Sequence, residues 1–502
     1  MKTIRLFPLE LCRLLQSRFT WLMIGLSVLS PVIGLIFYKP AAASTMLSMY
    51  LANPAIAGGI AGSVLFGTLT VFELDRAVRS RVDVLIDSTV SPLCMALVRL
   101  LVMMVGALIT LGLTMLVWLP ISKWLIGAVF GIVDYVLAYL ILMGLAMPLG
   151  ILAAAAAYQF TRRVDLSLVL FAAFAALSLT VWADNWQLCW LNPCVWALSD
   201  DFSNFRIFRS VGYMRLTWLV ALSGVWTISW LCVRQYGKGL LGSLIWSIRR
   251  AYRPAVALIL LAFSGIAYAA QPMVDNSNPD ETAMLFYEVP YAEEVVCTGR
   301  TAEVFPDVNS GTLSGYAAYQ FQNSSGQEQR VAFGINPGYT ISNVQANGLD
   351  VPFSVSDYQE YNEAMLEVTI PADKHVELTM EYGGFPQESA NMSTMQGSTE
   401  ISEEYLCLEN ATLSPRLMNV LPDENMYPTT IEITLPSSMT VIPFGNSNAQ
   451  VVTEHENGTK TWHYEGNSTG GIVYAGNYIR EDVVVDGFTI EFYYGRKHQA
   501  VM

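Results

Sequence analysis

The first 270 residues contain uncharged apolar runs long enough to cross a hydrocarbon layer of about 30 Å, which takes about 20 helical residues. No other feature constrains the fold as much, because a backbone in hydrocarbon must satisfy its own hydrogen bonds, which only helices and closed barrels do. Seven runs lie near 19–38, 52–72, 93–119, 125–157, 164–184, 214–234 and 254–270. The fourth is overlong and interrupted by Pro148, so its outer part is expected to lie in the interface while about 20 residues cross.

Charge divides the 502-residue chain in the same place. Residues 1–270 hold 20 Lys or Arg against 10 Asp or Glu, and residues 271–502 hold 8 against 32, giving halves of +10 and −24. Basic residues near span ends are retained on the cytoplasmic side. Lys2, Arg5, Arg13 and Arg18, then Arg76, Arg79 and Arg81, then Arg162 and Arg163, then Arg234, Lys238, Arg249, Arg250 and Arg253 make 14 on one side. The other side has five, Lys39, Lys123, Arg206, Arg209 and Arg215. The expectation is a multi-pass plasma-membrane protein with a cytoplasmic N-terminus and everything after residue 270 outside the cell. The seventh run has two readings, a retained anchor or a cleavable signal ending at Ala267-x-Ala269.

Residues 1–18 place Ile4, Phe7, Leu11, Leu14 and Leu15 on one side and Glu10, Arg13 and Ser17 on the other, as in an interfacial amphipathic helix. After the second run comes "FELDRAVRSRVDVLIDSTVSP", a segment of mixed sign that reads either as a docking surface for a protein partner or as an ordinary solvated loop. Arg99 and Asp134 are ionisable groups within the runs. Asp134 is a candidate pathway residue, or an interfacial one if the span begins after it.

From about residue 283 the chain alternates with period two in short runs such as "AMLEVTIPADKHVELTMEY" and "TTIEITLPSS", bounded by Gly, Asn, Pro and Ser. That pattern argues for an antiparallel sandwich or barrel. The fold class expected is a polytopic α-helical membrane domain of about 6+1 transmembrane helices followed by an all-β extracellular sandwich. Sequons at Asn323, Asn391, Asn410, Asn457 and Asn467 are glycosylation acceptors or chance matches in an Asn/Ser-rich domain. Phe488, Ile490 and Phe492 read as a half-buried final strand.

Catalytic patterns are missing from the sequence. "HENGT" has a His-Glu step but Thr459 where a zinc helix needs its second histidine, and its Asn-Gly reads as a hairpin turn. "YGKGLLGS" lacks the spacing of a phosphate-binding loop. Neither a catalytic nor a metal residue is assigned, and no cofactor is expected in this chain. Cys189 with Cys194, and Cys297 with Cys407, are either paired or free thiols.

Over residues 1–235 the chain resembles a permease subunit of the type-2 class of ATP-binding-cassette exporters. The resemblance rests on the amphipathic N-terminal helix, six spans, the Glu73-x-x-Arg76 step closing the second, and the segment leading into "STVSPLCMALVRL". It implies a coupling segment at Glu73, Arg76, Arg79 and Asp83 docking a separate ATPase subunit that carries ATP, and a homodimer or pseudo-dimer of permease subunits in the lipid bilayer, with no nucleic acid. Thr89 stands where that family usually has a proline, and Arg99 near where it has a lysine. Residues 283–496 resemble the N-terminal β domain of the aminopeptidase N family of zinc peptidases, through "FGINPGYTISNVQANGLDVPFSV", "MLEVTIPADKHVELTMEYGGFP" and "TWHYEGNSTGGIVYAGNYIREDVVVDGFTIEFYYGRKH". The combination is similar to a group of bacterial proteins fusing the two. The bounds expected are 1–18, 19–235, 236–270 for a cytoplasmic loop and the seventh helix, 271–282 for a linker, 283–496, and 497–502 as the lead-in to a catalytic domain not in this chain. The alternative function is the amino-terminal part of a membrane-anchored aminopeptidase.

Overall fold

The computed structural model describes residues 2–41, 44–80, 90–183, 185–195, 197–200, 204–231, 242, 245, 248–249, 252–270, 290–360, 363–386, 400–420, 427–442, 448–467, 471–495 and 498–499. Asp83, the linker 271–282, Asn391 and most of the loop after residue 231 lie outside them. The described residues form two compact units, one helical and one of strands, meeting in sequence near residue 271.

The helical unit consists of α1 (Lys2–Leu15), α2 (Arg18–Leu29), α3 (Pro31–Ile36), α4 (Asn53–Arg79), α5 (Pro92–Ile126), α6 (Ile132–Ala138), α7 (Ala146–Thr161), α8 (Val164–Leu179), α9 (Phe205–Leu231) and α10 (Tyr252–Ala269). Five stretches are long and apolar enough to cross a membrane: Arg18–Ile36, Ser48–Arg76, Leu93–Val129, Ile132–Thr161 and Ile207–Leu231. Two shorter apolar helices, Val164–Leu179 and Pro254–Ala269, occupy the places of the fifth and seventh runs.

One bound and one proline reading are corrected. The third helix does not end before Pro120 but runs to Ile126, and the chain turns at Gly127–Val129 before α6. Nor does Pro148 break the fourth run. A wider π turn at Tyr139–Gly144 joins α6 to α7, and Pro148 falls in the first turn of α7, where its missing N–H costs little.

Close packing of α4 on this composite helix depends on glycine. A Cβ on Gly59 would stand 2.3 Å from the Leu142 carbonyl oxygen, and one on Gly150 would stand 2.4 Å from that of Ser63. Such close backbone approach requires small residues at the contact between the two helices.

The strand unit comprises β1 (Val295–Asp307), β2 (Thr312–Asn323), β3 (Gln329–Ile335), β4 (Tyr339–Ala346), β5 (Leu349–Asp350), β6 (Phe353–Glu360), β7 (Glu363–Ile370), β8 (His375–Gly384), β9 (Glu400–Ile401), β10 (Tyr405–Glu409), β11 (Arg416–Leu417), β12 (Pro428–Pro436), β13 (Thr440–Ile442), β14 (Asn448–Glu454), β15 (Thr459–Asn467), β16 (Ile472–Gly476), β17 (Tyr478–Val485) and β18 (Phe488–Gly495). An eight-stranded sheet, ordered β14-β15-β12-β1-β2-β8-β4-β5, shares one apolar core with two four-stranded sheets, β13-β16-β10-β9 and β11-β3-β7-β6. Burial alternates strictly along β7, with Ala364, Leu366, Val368 and Ile370 inward. One pairing departs from the antiparallel expectation: β1 runs parallel to β12, Glu303 opposite Glu432. "HENGT" is the turn of the β14–β15 hairpin, with Gly458 at φ +81°.

Two further expectations change. Asn323 is 2% exposed and its amide donates to the Gln327 and Pro371 carbonyls, so it is part of the core and no glycan fits there. The final strand is not half-buried: β18 pairs with β17 as a separate two-stranded sheet, leaving Phe488 76% and Ile490 51% exposed. Alternation had suggested one covered face, but a two-stranded ribbon outside the sandwich covers neither.

Gly150→Leu in the full chain in detergent should lower stability by about 1–3 kcal/mol through forced separation of α4 and α7. Gly25→Ala, inside α2 where a Cβ meets nothing within 4 Å, should not lower the thermal midpoint.

Candidate functional site

At one end of the helical unit, polar groups from five helices converge. Arg13 on α1 lies between two carboxylates: its Nε donates to Glu10 Oε2 at 2.7 Å, and its Nη1 stands 2.7 Å from Glu73 Oε2 on α4. Arg76 approaches the other Glu73 oxygen at 3.6 Å. Arg99 of α5 and Gln159 of α7 line the same cavity of about 10 Å³, room for one water at most. The Arg99 Nε has no hydrogen-bond partner among the described residues. Beside it, the Tyr158 hydroxyl donates to Asp75 at 2.9 Å, and the Ser229 hydroxyl of α9 donates to Gln159 Oε1 at 2.5 Å.

The electrostatics are those of a latch. Burial opposes charge on Arg13, but the carboxylates of Glu73 and Glu10 outweigh it and raise the guanidinium above its ordinary pKa. The network ties α1 to the end of α4, just before the segment that follows α4.

This changes the reading of the predicted residues. Glu73 is 7% exposed and engaged by Arg13, so it holds the segment in place and offers little surface to a partner. Arg76 and Arg79 are exposed, while Asp83 lies outside the described residues. Asp134 is not brought to this cluster. It sits half-buried in the first turn of α6, at the far end of α5 from Arg99, where the helix N-terminus favours a carboxylate. Glu10 and Arg13, read as the water-facing side of α1, are turned inward, and Leu9 is 67% exposed instead.

A second polar feature lies deeper. Arg215, counted as an outer-side cation, is fully buried on α9, and its Nη1 donates to the carbonyls of Ile141 (2.7 Å) and Leu142 (2.5 Å). Those carbonyls belong to the π turn Tyr139–Gly144. The signal in the sequence was an arginine just inside the run 214–234, the third on α9 after Arg206 and Arg209.

In the strand unit, a concavity of about 270 Å³ on the eight-stranded sheet is lined by Glu303, Phe305, Glu432, His455, Asn457 and Thr461. Nearby His463 stands 3.0 Å from Glu465 and 3.3 Å from Glu432, and its pKa is raised, chiefly by the hydrogen bond to Glu465. Among the described residues no three His, Cys, Asp or Glu side chains are grouped to hold a metal. The described residues therefore offer no group that fits the zinc of a peptidase.

No family model matches the chain, and no curated protein matches it. Among solved structures it is similar to the M1 zinc metallopeptidase from Deinococcus radiodurans, at 17% identity and a TM-score of 0.27 over 40% of this chain and 47% of that one. A two-domain M1 zinc metallopeptidase bound to L-arginine gives 16% and 0.29 over 41% and 49%. Native yeast LTA4 hydrolase gives 9% and 0.25 over 38% and 30%. The chain thus spans about half the length of the first two, or less for the third.

Glu73→Gln should destabilise the helical unit by about 3 kcal/mol, because Arg13 and Arg99 lose their buried counter-charge. Arg79→Ala should change stability by no more than about 0.5 kcal/mol. Thermal midpoints in detergent, read by loss of the size-exclusion peak, distinguish the two. His463, with a raised folded-state pKa, stabilises the strand unit below about pH 6.5 and loses that contribution as pH rises through the folded value. Denaturant midpoints should therefore fall between about pH 5.5 and pH 8, and His463→Gln should flatten that part of the profile.

Proposed function

We propose that the chain is the membrane-spanning permease subunit of an ATP-driven exporter of the type-2 class, acting with a separate ATPase subunit. The observation that carries this reading is the latch of Arg13 with Glu10 and Glu73, which fixes the end of α4 to α1, with Arg99 of α5 lining the same cavity. A push on the segment beyond Glu73 would move α1 with α4, and that is what a transporter driven from one side requires. The exposed Arg76 and Arg79 then meet the ATPase, and Asp83 falls in the same segment. Basic residues cluster at this end in the sequence, which supports a cytoplasmic position for it and an extracellular one for the strand unit. In this reading ATP sits on the partner, two permease subunits pair in the plasma membrane, and the strand unit is a non-catalytic outward module.

A second reading is favoured by the exposed apolar ribbon of β17 and β18, with Phe488, Ile490 and Phe492 open to solvent. A covering domain there would suit the amino-terminal part of a membrane-anchored aminopeptidase.

Co-expression with a neighbouring ATPase subunit tests the first reading. The wild-type chain should retain the ATPase on purification, and Arg76→Glu with Arg79→Glu should reduce retention by about tenfold or more, as two reversed contacts at a charged interface would. Retention unchanged by the reversal sinks the docking assignment. Stoichiometric zinc with turnover of an aminoacyl substrate would establish the second reading.

A further inference from the structure

Between α8 and α9 the chain passes through residues 180–204, and there Cys189 and Cys194 bracket Trp190, Leu191, Asn192 and Pro193. Their sulfurs are 3.5 Å apart. A disulfide is about 2.0 Å long, so a small side-chain rotation separates this arrangement from a bond.

The approach is built into the loop. The Leu191 N–H donates to Ser178 Oγ at 3.0 Å, and Arg215 Nη2 reaches the Leu191 carbonyl at 3.4 Å. On the amino-terminal side, Asn185 Oδ1 accepts the N–H groups of Gln187 and Leu188, and Trp218 Nε1 donates to the Gln187 carbonyl at 2.6 Å. Trp190 is buried and stacks on Phe174 at 5.1 Å. The two cysteines are therefore held on a fixed frame, unlike Cys297 and Cys407, which lie on β1 and β10 of different sheets.

We propose that Cys189 and Cys194 are an oxidisable dithiol that closes to a disulfide by exchange with a disulfide-bearing oxidant. Cys189 is fully buried, whereas Cys194 is half-buried, so the oxidant meets Cys194 first. The Cys194 sulfur, as thiolate, attacks one oxidant sulfur. The oxidant S–S bond breaks, and its other sulfur leaves as a thiolate that takes up the proton Cys194 gave up. The Cys189 sulfur then attacks Cys194 Sγ, breaking the mixed disulfide and releasing the second oxidant thiolate, which takes up the Cys189 proton. One oxidant disulfide becomes two thiols, and two protein thiols become one disulfide.

Cys189 is placed for the second step, with its sulfur 3.5 Å from that of Cys194. Its hydrogen bond with Cys194, and then its burial, hold its proton on well above the ordinary thiol range. The mixed disulfide removes the first restraint and leaves the second, so closure is the slower step. Closure pins Leu191, the third carbonyl engaged by Arg215, and so stiffens the frame around α9.

The test treats the purified full chain in detergent with oxidised glutathione, then alkylates, digests and weighs the peptides. In the wild type the peptide carrying both cysteines should be unalkylated and two hydrogens lighter than the dithiol. C189S should trap glutathione on Cys194, and C194S should carry about tenfold less on Cys189, as exposure dictates. Full alkylation of both cysteines in the treated wild type overturns the proposal without recourse to any variant. Equal trapping by the two variants overturns the order of the steps.

Discussion

A buried guanidinium needs acceptors, and the helical unit meets around one place where backbone carbonyls supply them. The π turn at Tyr139–Gly144 carries the chain from α6 into α7, and its Ile141 and Leu142 carbonyls accept from Arg215. A guanidinium at full burial is costly unless its donors are used, and here Nη1 and Nη2 are engaged while Nε has no partner among the described residues. The same carbonyl of Leu142 is the one that Gly59 of α4 approaches, so the packing of α4, α7 and α9 meets at this point. The loop 180–204 is tied to it as well through Leu191.

The charged latch at one end of the unit solves a different problem. Glu73 closes a long apolar helix, and Arg13 arrives from α1 to neutralise it. Because α1 and α4 share these charges, displacement of one carries the other. That mechanical property, together with a cation-rich exposed continuation at Arg76 and Arg79, is the physical content of the proposed exporter. A receptor merely anchored in the membrane would need neither the latch nor so many spans.

How much of this was legible in the sequence differs by kind of evidence. Apolar runs announced the helices because length in hydrocarbon is a one-dimensional constraint. Period-two alternation announced the strands, as along β7 and β12. One proline misled: Pro148 looked like a break, but it follows a π turn contacted by a side chain far away in sequence. Glu10 and Arg13 looked solvated because the pattern of α1 alone cannot show that Glu73 waits opposite. Phe488, Ile490 and Phe492 looked half-buried because alternation shows which residues share a face, without showing what covers it. The parallel pairing of β1 with β12, more than a hundred residues apart, left no local signal.

The central claim is that the latch end of the helical unit and the strand unit lie on opposite sides of a membrane. Single-cysteine chains with Arg79→Cys or Glu381→Cys, probed in intact cells with a membrane-impermeant maleimide, test it directly. The account predicts labelling at position 381 in intact cells and at position 79 only after the membrane is opened. Labelling of both positions in intact cells, or of neither until the membrane is opened, would contradict it.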